Sequence, residues 1–234
     1  MASAGPVQEA TLEPGEQLPL ADSLRPHAAT WRVVRVVDGV ESELGTMHGE
    51  LTRDDSGWNY LVTLRLGPGE MSYSYYFDAG TLVPTRSVYD DPSGYADVAY
   101  DSAGLHGSIT PPEANAAEPV SIEHNGGFYE AGTVGFILAL AGLDVGDSVA
   151  MPSVDLHERE AGTIRATVTG RERVELPGAH GADALVVEID QLGGTHSRQW
   201  LLTEPPYWST VVLGDGTARW ELVEFTSGDG AGHP

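Results

Sequence analysis

The chain has 234 residues, with no cysteine and no lysine, and its 12 basic residues stand against 35 acidic ones for a formal charge of −23. Lack of cysteine excludes disulfides, zinc–thiolate sites and thiol nucleophiles. The negative field repels phosphate backbones and anionic membrane surfaces, so nucleic acid is not an expected partner. The acidity is open to two readings, a cationic partner or plain solubility.

Residues 1–29 read as a flexible leader, because Met1–Leu20 is dominated by small residues, Pro, Glu and Gly. The first residues carry neither a charged n-region nor an apolar h-region. The expectation drawn from this is an extracytoplasmic protein whose signal has been removed, ahead of a cytoplasmic one. No apolar run reaches the length of about 18 residues that a spanning helix needs, so no transmembrane segment is expected.

From about Thr30 the pattern has period two, with turn signals roughly every 8–12 residues, which predicts short antiparallel strands. Trp31–Val37 is closed by Asp38-Gly39, a hairpin signal. Glu43–Arg53 and Trp58–Leu66 follow, separated by Asp54-Asp55-Ser56-Gly57. In Met71–Phe77, the residues Met71, Tyr73, Tyr75 and Phe77 share a face. Thr81–Tyr89, Tyr95–Tyr100 and Leu105–Thr110 complete a meander, with turns at Asp91-Pro92-Ser93-Gly94 and Asp101-Ser102-Ala103-Gly104.

The middle of the chain changes period. Across Phe128–Leu143, Val134, Ile137, Leu138 and Ala141 recur at helical spacing, and Phe136 and Leu140 widen the stripe nearly all round. This predicts a buried central helix over about 129–142, with Gly142 as its C-cap. Period two then resumes through Ser148–Leu156, Gly162–Arg173, Asp183–Ile189, His196–Thr203, Trp208–Leu213 and Ala218–Phe225. Residues 227–234 read as a disordered tail.

The fold expected is therefore mainly β, in a single domain over residues 30–226. A large curved antiparallel sheet, or an open or closed barrel, would wrap around one central helix; a two-layer sandwich is the other arrangement of the same strands.

No phosphate-cradling loop, GxSxG elbow or HExxH pair occurs, and neither a metal nor a cofactor is expected. What remains is strand-spaced. On one strand His196, Arg198 and Trp200 share a face, with Ser197 and Gln199 on the other, and the first face reads either as a clamp for a ligand carboxylate or as a solvated face with Arg stacked on Trp. Asp155, His157 and Arg159 also share a face, as an oriented general base or as surface charge. His124, beside Glu123 and just before the apolar run, suits either titration or metal binding with Glu130 or another acid nearby, or a turn or helix-capping role. The Met71/Tyr73/Tyr75/Phe77 stripe suits either a cavity wall or core packing.

A resemblance adds to these readings. The run Gly80-Thr81-Leu82-Val83-Pro84-Thr85-Arg86 through Val98-Ala99-Tyr100-Asp101 resembles an uncharacterised bacterial cell-envelope family. So do Phe128-Tyr129-Glu130 with the apolar run after it, Leu143-Asp144-Val145-Gly146-Asp147, and Val168-Thr169-Gly170-Arg171-Glu172-Arg173-Val174. The likeness spans about residues 30–225. It implies extended antiparallel sheets curved around a helix, broadly similar to the LolA/LolB lipoprotein carriers, and an apolar ligand. It transfers no catalytic residue.

The function expected first is a ligand-binding module that shelters an apolar or amphipathic small molecule or lipid between sheet and helix. Tyr73, Tyr75, Phe77, Phe136, Leu140, Trp200 and Trp208 are its candidate contacts. The alternative is a non-covalent acid–base enzyme in the same cavity, an isomerase, cyclase or hydrolase using His124, His196, Arg198 and Tyr75. A third reading is an envelope assembly protein that binds a partner along a strand edge.

Overall fold

Three hairpins in the first half share one local device. Asp54, Asp91 and Asp101 each accept, through Oδ1, the backbone N–H two residues on (Ser56, Ser93 and Ala103), all at 2.7 Å. In each, the Asp pairs directly across the turn with the Gly three residues later, so two residues make the reversal. The side-chain acceptor takes the place of a backbone partner at the sharpest point of the chain. The Asp38-Gly39 turn differs: both residues have positive φ, 52° and 75°, as a two-residue hairpin of the primed type demands.

The computed structural model describes residues 9–228 apart from 115, 125, 157, 158, 179 and 215. His157 and the tail beyond residue 228 lie outside the described residues, so the Asp155/His157/Arg159 face goes no further.

The first half runs as β1 (Ala10–Thr11), β2 (His27–Val37), β3 (Val40–Asp54), β4 (Gly57–Leu66), β5 (Gly69–Phe77), β6 (Pro84–Asp91), β7 (Gly94–Asp101), β8 (Gly104–Thr110) and β9 (Glu118–Glu123). After β10 (Tyr129–Glu130), a 3-10 turn (Ala131–Thr133) and α1 (Val134–Leu140), the second half runs as β11 (Ser148–Asp155), β12 (Glu160–Val174), β13 (Ala182–Asp190), β14 (His196–Leu201), β15 (Trp208–Leu213) and β16 (Ala218–Ser227). The sixteen strands of the described residues belong to one sheet, in the order β1-β11-β12-β13-β14-β15-β16-β2-β3-β4-β5-β6-β7-β8-β9, with β10 on the same β11 edge as β1.

The two runs of strands are joined by the antiparallel pairing of β16 with β2, which sets Trp220 opposite Val33 and Leu222 opposite Trp31. The result is a single large curved sheet around one short helix, not closed by hydrogen bonds. The sandwich arrangement is thereby set aside. Along the inner face of the curve, alternate strand residues bury themselves against α1, whose Ile137, Leu138 and Leu140 are fully enclosed. Each buried side chain of this size contributes roughly 1.5–3 kcal/mol relative to exposure.

Two expectations are corrected. The helix is shorter than 129–142: Tyr129 and Glu130 pair with Ser153 and Val154 as a parallel strand, and the Glu130 side chain caps Gly132. The apolar run thus enters the core as a strand before it can coil. Gly142 does follow the helix in a left-handed conformation, φ 68°. Residues 9–29 are no loose leader. Leu18 and Leu24 are buried in the core, Leu12 N–H donates to Ala150 O (2.9 Å), and Leu20 N–H donates to Leu140 O (3.0 Å) at the exit of α1. The Tyr207 hydroxyl fastens this strap by accepting from Arg25 N–H (2.9 Å) and donating to Ser23 O (3.1 Å). Among the described residues no helix is long and apolar enough to cross a membrane.

Candidate functional site

Between α1 and the inner face of the sheet lies a cavity of about 320 Å³. That is at the lower end of the usual range for small-molecule sites, about 300–1,000 Å³. Its walls come from strands on both sides of β2, which itself contributes none of the described lining residues. Met47 stands on β3, Tyr60, Val62 and Leu64 on β4, and Tyr73 and Tyr75 on β5. From the other side come Trp208, Val211 and Leu213 on β15 and Trp220 on β16. The helical segment supplies Ala131, Gly132, Gly135 and Phe136, while Gln191 and Gln199 join the tyrosine hydroxyls and the two tryptophans as the side chains of the wall with polar atoms.

Local sequence explains this shape. Strand alternation points Tyr60, Val62 and Leu64 to one side of β4, and Tyr73 and Tyr75 to the same side of β5, where Tyr60 pairs with Tyr75 and Val62 with Tyr73. Tyr60 lies across Gly49, where a Cβ would stand 2.6 Å from its hydroxyl, so any larger residue at position 49 would push the ring out. Phe136 is stacked on Tyr60 (centroids 6.0 Å, planes 7° apart), tying helix to sheet. Trp208 stacks on the fully buried Trp31 at 3.9 Å. Gly135 leaves room for the Gln199 carboxamide, whose Oε1 would stand 2.2 Å from a Cβ there.

Behind the cavity wall sits a buried acid. Glu130, 3% exposed, accepts from the Tyr89 hydroxyl through Oε1 and from Gly132 N–H through Oε2 at 2.7 Å. Burial pushes its pKa from the ordinary 4.5 up to about 8; the Tyr89 and Gly132 hydrogen bonds pull it down and Asp155 pushes it up. Tyr75, Tyr89 and Tyr100 surround it, and burial first, then the nearby Glu130 charge, holds each phenol well above the usual tyrosine value. A Cβ on Gly132 would stand 2.5 Å from the Tyr75 hydroxyl and 2.9 Å from Glu130 Oε2, so both oxygens approach the same point beside the cavity.

Of the residues expected to contact a ligand, Tyr73, Tyr75, Phe136 and Trp208 line the cavity. Phe77 and Leu140 are core residues instead, Phe77 packed at 6.2 Å from the Phe136 ring. Trp200 is on the other side of the sheet. On β14, Ser197, Gln199 and Leu201 turn inward and are buried, which leaves His196, Arg198 and Trp200 on the outer face.

That outer face answers the clamp reading. Arg198 Nε donates to Glu188 Oε1 at 2.5 Å, and Trp200 Nε1 donates to Glu172 Oε2 at 2.8 Å. His196 contacts Asp190 (3.0 Å) and Glu188 (2.6 Å), and these hydrogen bonds, Asp190's first, raise its pKa. The carboxylates that Arg198 and His196 bind are the protein's own, from β13.

His124 is elsewhere again, packed against Phe128 with centroids 4.5 Å apart. The four residues of the acid–base alternative, His124, His196, Arg198 and Tyr75, therefore do not converge. Only Tyr75 lines the cavity. Sequence reasoning passed over Tyr60, Trp220 and Gln199. It named Glu130 only as an acid near His124, although an acid inside an otherwise apolar run was itself the signal.

Comparison with known proteins agrees with this architecture. Residues 29–223 match the family described as "Protein of unknown function (DUF3108)". The chain belongs to that family. No curated protein matches it. Among solved structures, this DUF3108 chain is similar to a beta-barrel-like protein of domain of unknown function DUF1849 from Brucella abortus, with a TM-score of 0.58 and 13% identity over 87% of this chain and 98% of that one. At that identity the likeness concerns the fold alone.

Proposed function

We propose that this DUF3108 protein is a binding module that holds an apolar or amphipathic small molecule between its curved sheet and α1. The observation that carries the reading is the cavity itself: aromatic and aliphatic side chains from β3, β4, β5, β15, β16 and α1 surround it, with Gln191 and Gln199 as fixed polar groups. Apolar walls provide affinity through burial, and a few polar groups set orientation. In this reading the ligand is a lipid or similar hydrophobe, and the protein works at the cell envelope in the manner of a LolA/LolB-like carrier, as its resemblance to those carriers implies.

The test is binding by the intact protein. A neutral fluorescent hydrophobe should be taken up with micromolar affinity and change the emission of Trp208 and Trp220, which line the cavity. Val62→Trp, which fills the cavity from β4, should abolish uptake. Arg198→Ala on the outer face should leave it unchanged. Native mass spectrometry showing an empty protein, together with no uptake of the dye, refutes the proposal.

A further inference from the structure

The proposed ligand site has a charge character that its apolar description omits. Tyr60, Tyr73, Tyr75, Phe136, Trp208 and Trp220 present six aromatic rings to one cavity, and among the described residues no arginine, histidine, aspartate or glutamate lines it. Ring faces carry negative electrostatic potential, and a cation within about 6 Å of a ring centroid is attracted to it, the more so when desolvated. Elsewhere the arginines are largely occupied. Arg32, Arg86, Arg171, Arg198 and Arg219, among others, form ion pairs with aspartate or glutamate. The field of the whole chain, at a formal −23, therefore draws cations and repels anions.

The second observation is the acid behind the wall. Glu130 and the Tyr75 hydroxyl approach a common point beside Gly132, and both Gly132 and Tyr75 line the cavity. A burial of this depth is costly for a carboxyl group that has no counter-charge. The groups that face Glu130 are Tyr75 from β5, Tyr89 from β6, Tyr100 from β7, Asp155 from β11 and its own Gly132 N–H. None of them is cationic.

We propose that the cavity takes the cationic end of an amphipathic ligand, an organic ammonium group seated among the aromatic rings with Glu130 one layer behind as its counter-charge. This rests on the reading that the cavity binds a ligand. A bound cation favours the ionised form of Glu130, so binding releases a proton, and affinity rises with pH until Glu130 is ionised in the free protein as well. With the carboxyl pushed up to about 8, the rise falls between about pH 6 and 8 and levels off above.

The experiment compares octyltrimethylammonium, octanol and octanoate, below their micellar concentrations, by calorimetry at pH 6.5 and 8.5 in two buffers of different ionisation enthalpy. The ammonium compound should bind at least tenfold more tightly than either competitor at pH 8.5. Its affinity should fall about tenfold at pH 6.5, and the buffer comparison should show proton release. Glu130→Gln should flatten the pH dependence and keep octanol binding; the wild-type comparisons carry the test if that variant does not fold. Octanol or octanoate binding as tightly as the ammonium compound at pH 8.5 overturns the inference and leaves the cavity reading standing. Binding by none of the three overturns both.

Discussion

Replacing Glu130 by Gln isolates the energetic consequence of the buried acid. Gln is nearly isosteric: its carbonyl can still accept from one of the two donors that face Glu130, the Tyr89 hydroxyl and Gly132 N–H, so packing is retained while the ionisation is removed. In the folded wild-type protein, burial raises the Glu130 pKa from 4.5 to about 8. Below pH 4.5 both folded and unfolded chains hold the proton, and stability is full. Between about pH 4.5 and 8 the unfolded chain gives it up while the folded chain keeps it, so stability falls as pH rises; above 8 the loss is complete. At 1.36 kcal/mol per pH unit the total is about 5 kcal/mol, a large share of the stability of an ordinary domain. Urea unfolding followed by tryptophan fluorescence at pH 5, 6, 7, 8 and 9 measures it. The Glu130→Gln variant should gain on wild type by several kcal/mol between pH 5 and 9, through a falling wild-type curve. Parallel curves across that range would refute the assignment of a buried, protonated carboxyl at this position.

Two further outcomes are expected. Gly135→Ala places a methyl group where the Gln199 Oε1 stands, 2.2 Å away, and turns that carboxamide into the cavity; uptake of a hydrophobe should weaken about tenfold, equal to about 1.4 kcal/mol. Stability should hold, because Ala is better than Gly inside a helix by about 1 kcal/mol; dye titration and thermal unfolding separate the two effects. Deleting residues 1–24 removes the buried Leu18 and Leu24 from the core. It should cost about 3–6 kcal/mol in urea unfolding, whereas a loose leader would cost nothing.

The hairpins were legible because their causes are local. An Asp Oδ1 caps an N–H two residues away, Asp38-Gly39 adopts positive φ, and alternation places Tyr73 and Tyr75 together whatever lies far along the chain. The helix was legible as an apolar stripe, but its start was not. Tyr129 and Glu130 find β-partners in Ser153 and Val154, and no feature of the run itself announces a strand more than 20 residues further on. The leader misled for a related reason: a segment rich in Pro, Glu and Gly reads as solvated until Leu18, Leu24 and the Tyr207 hydroxyl are seen to hold it.

The site shows the same division. Sequence alone determined a β protein with a buried helical segment, and it placed His196, Arg198 and Trp200 on one face of a strand and Ser197 and Gln199 on the other. Which face meets the helix was undecidable, because both carry polar groups and a strand has no intrinsic inside. Only the tertiary structure turned Gln199 inward and gave the outer residues the carboxylates of β13 and β12. It also enclosed Glu130 among tyrosines from β5, β6 and β7, strands that lie 30 to 60 residues before it. Turn chemistry and alternation act over a few residues and are written in the chain in order. The burial of a charge depends on which distant surfaces close over it, and that is settled only when the sheet curves.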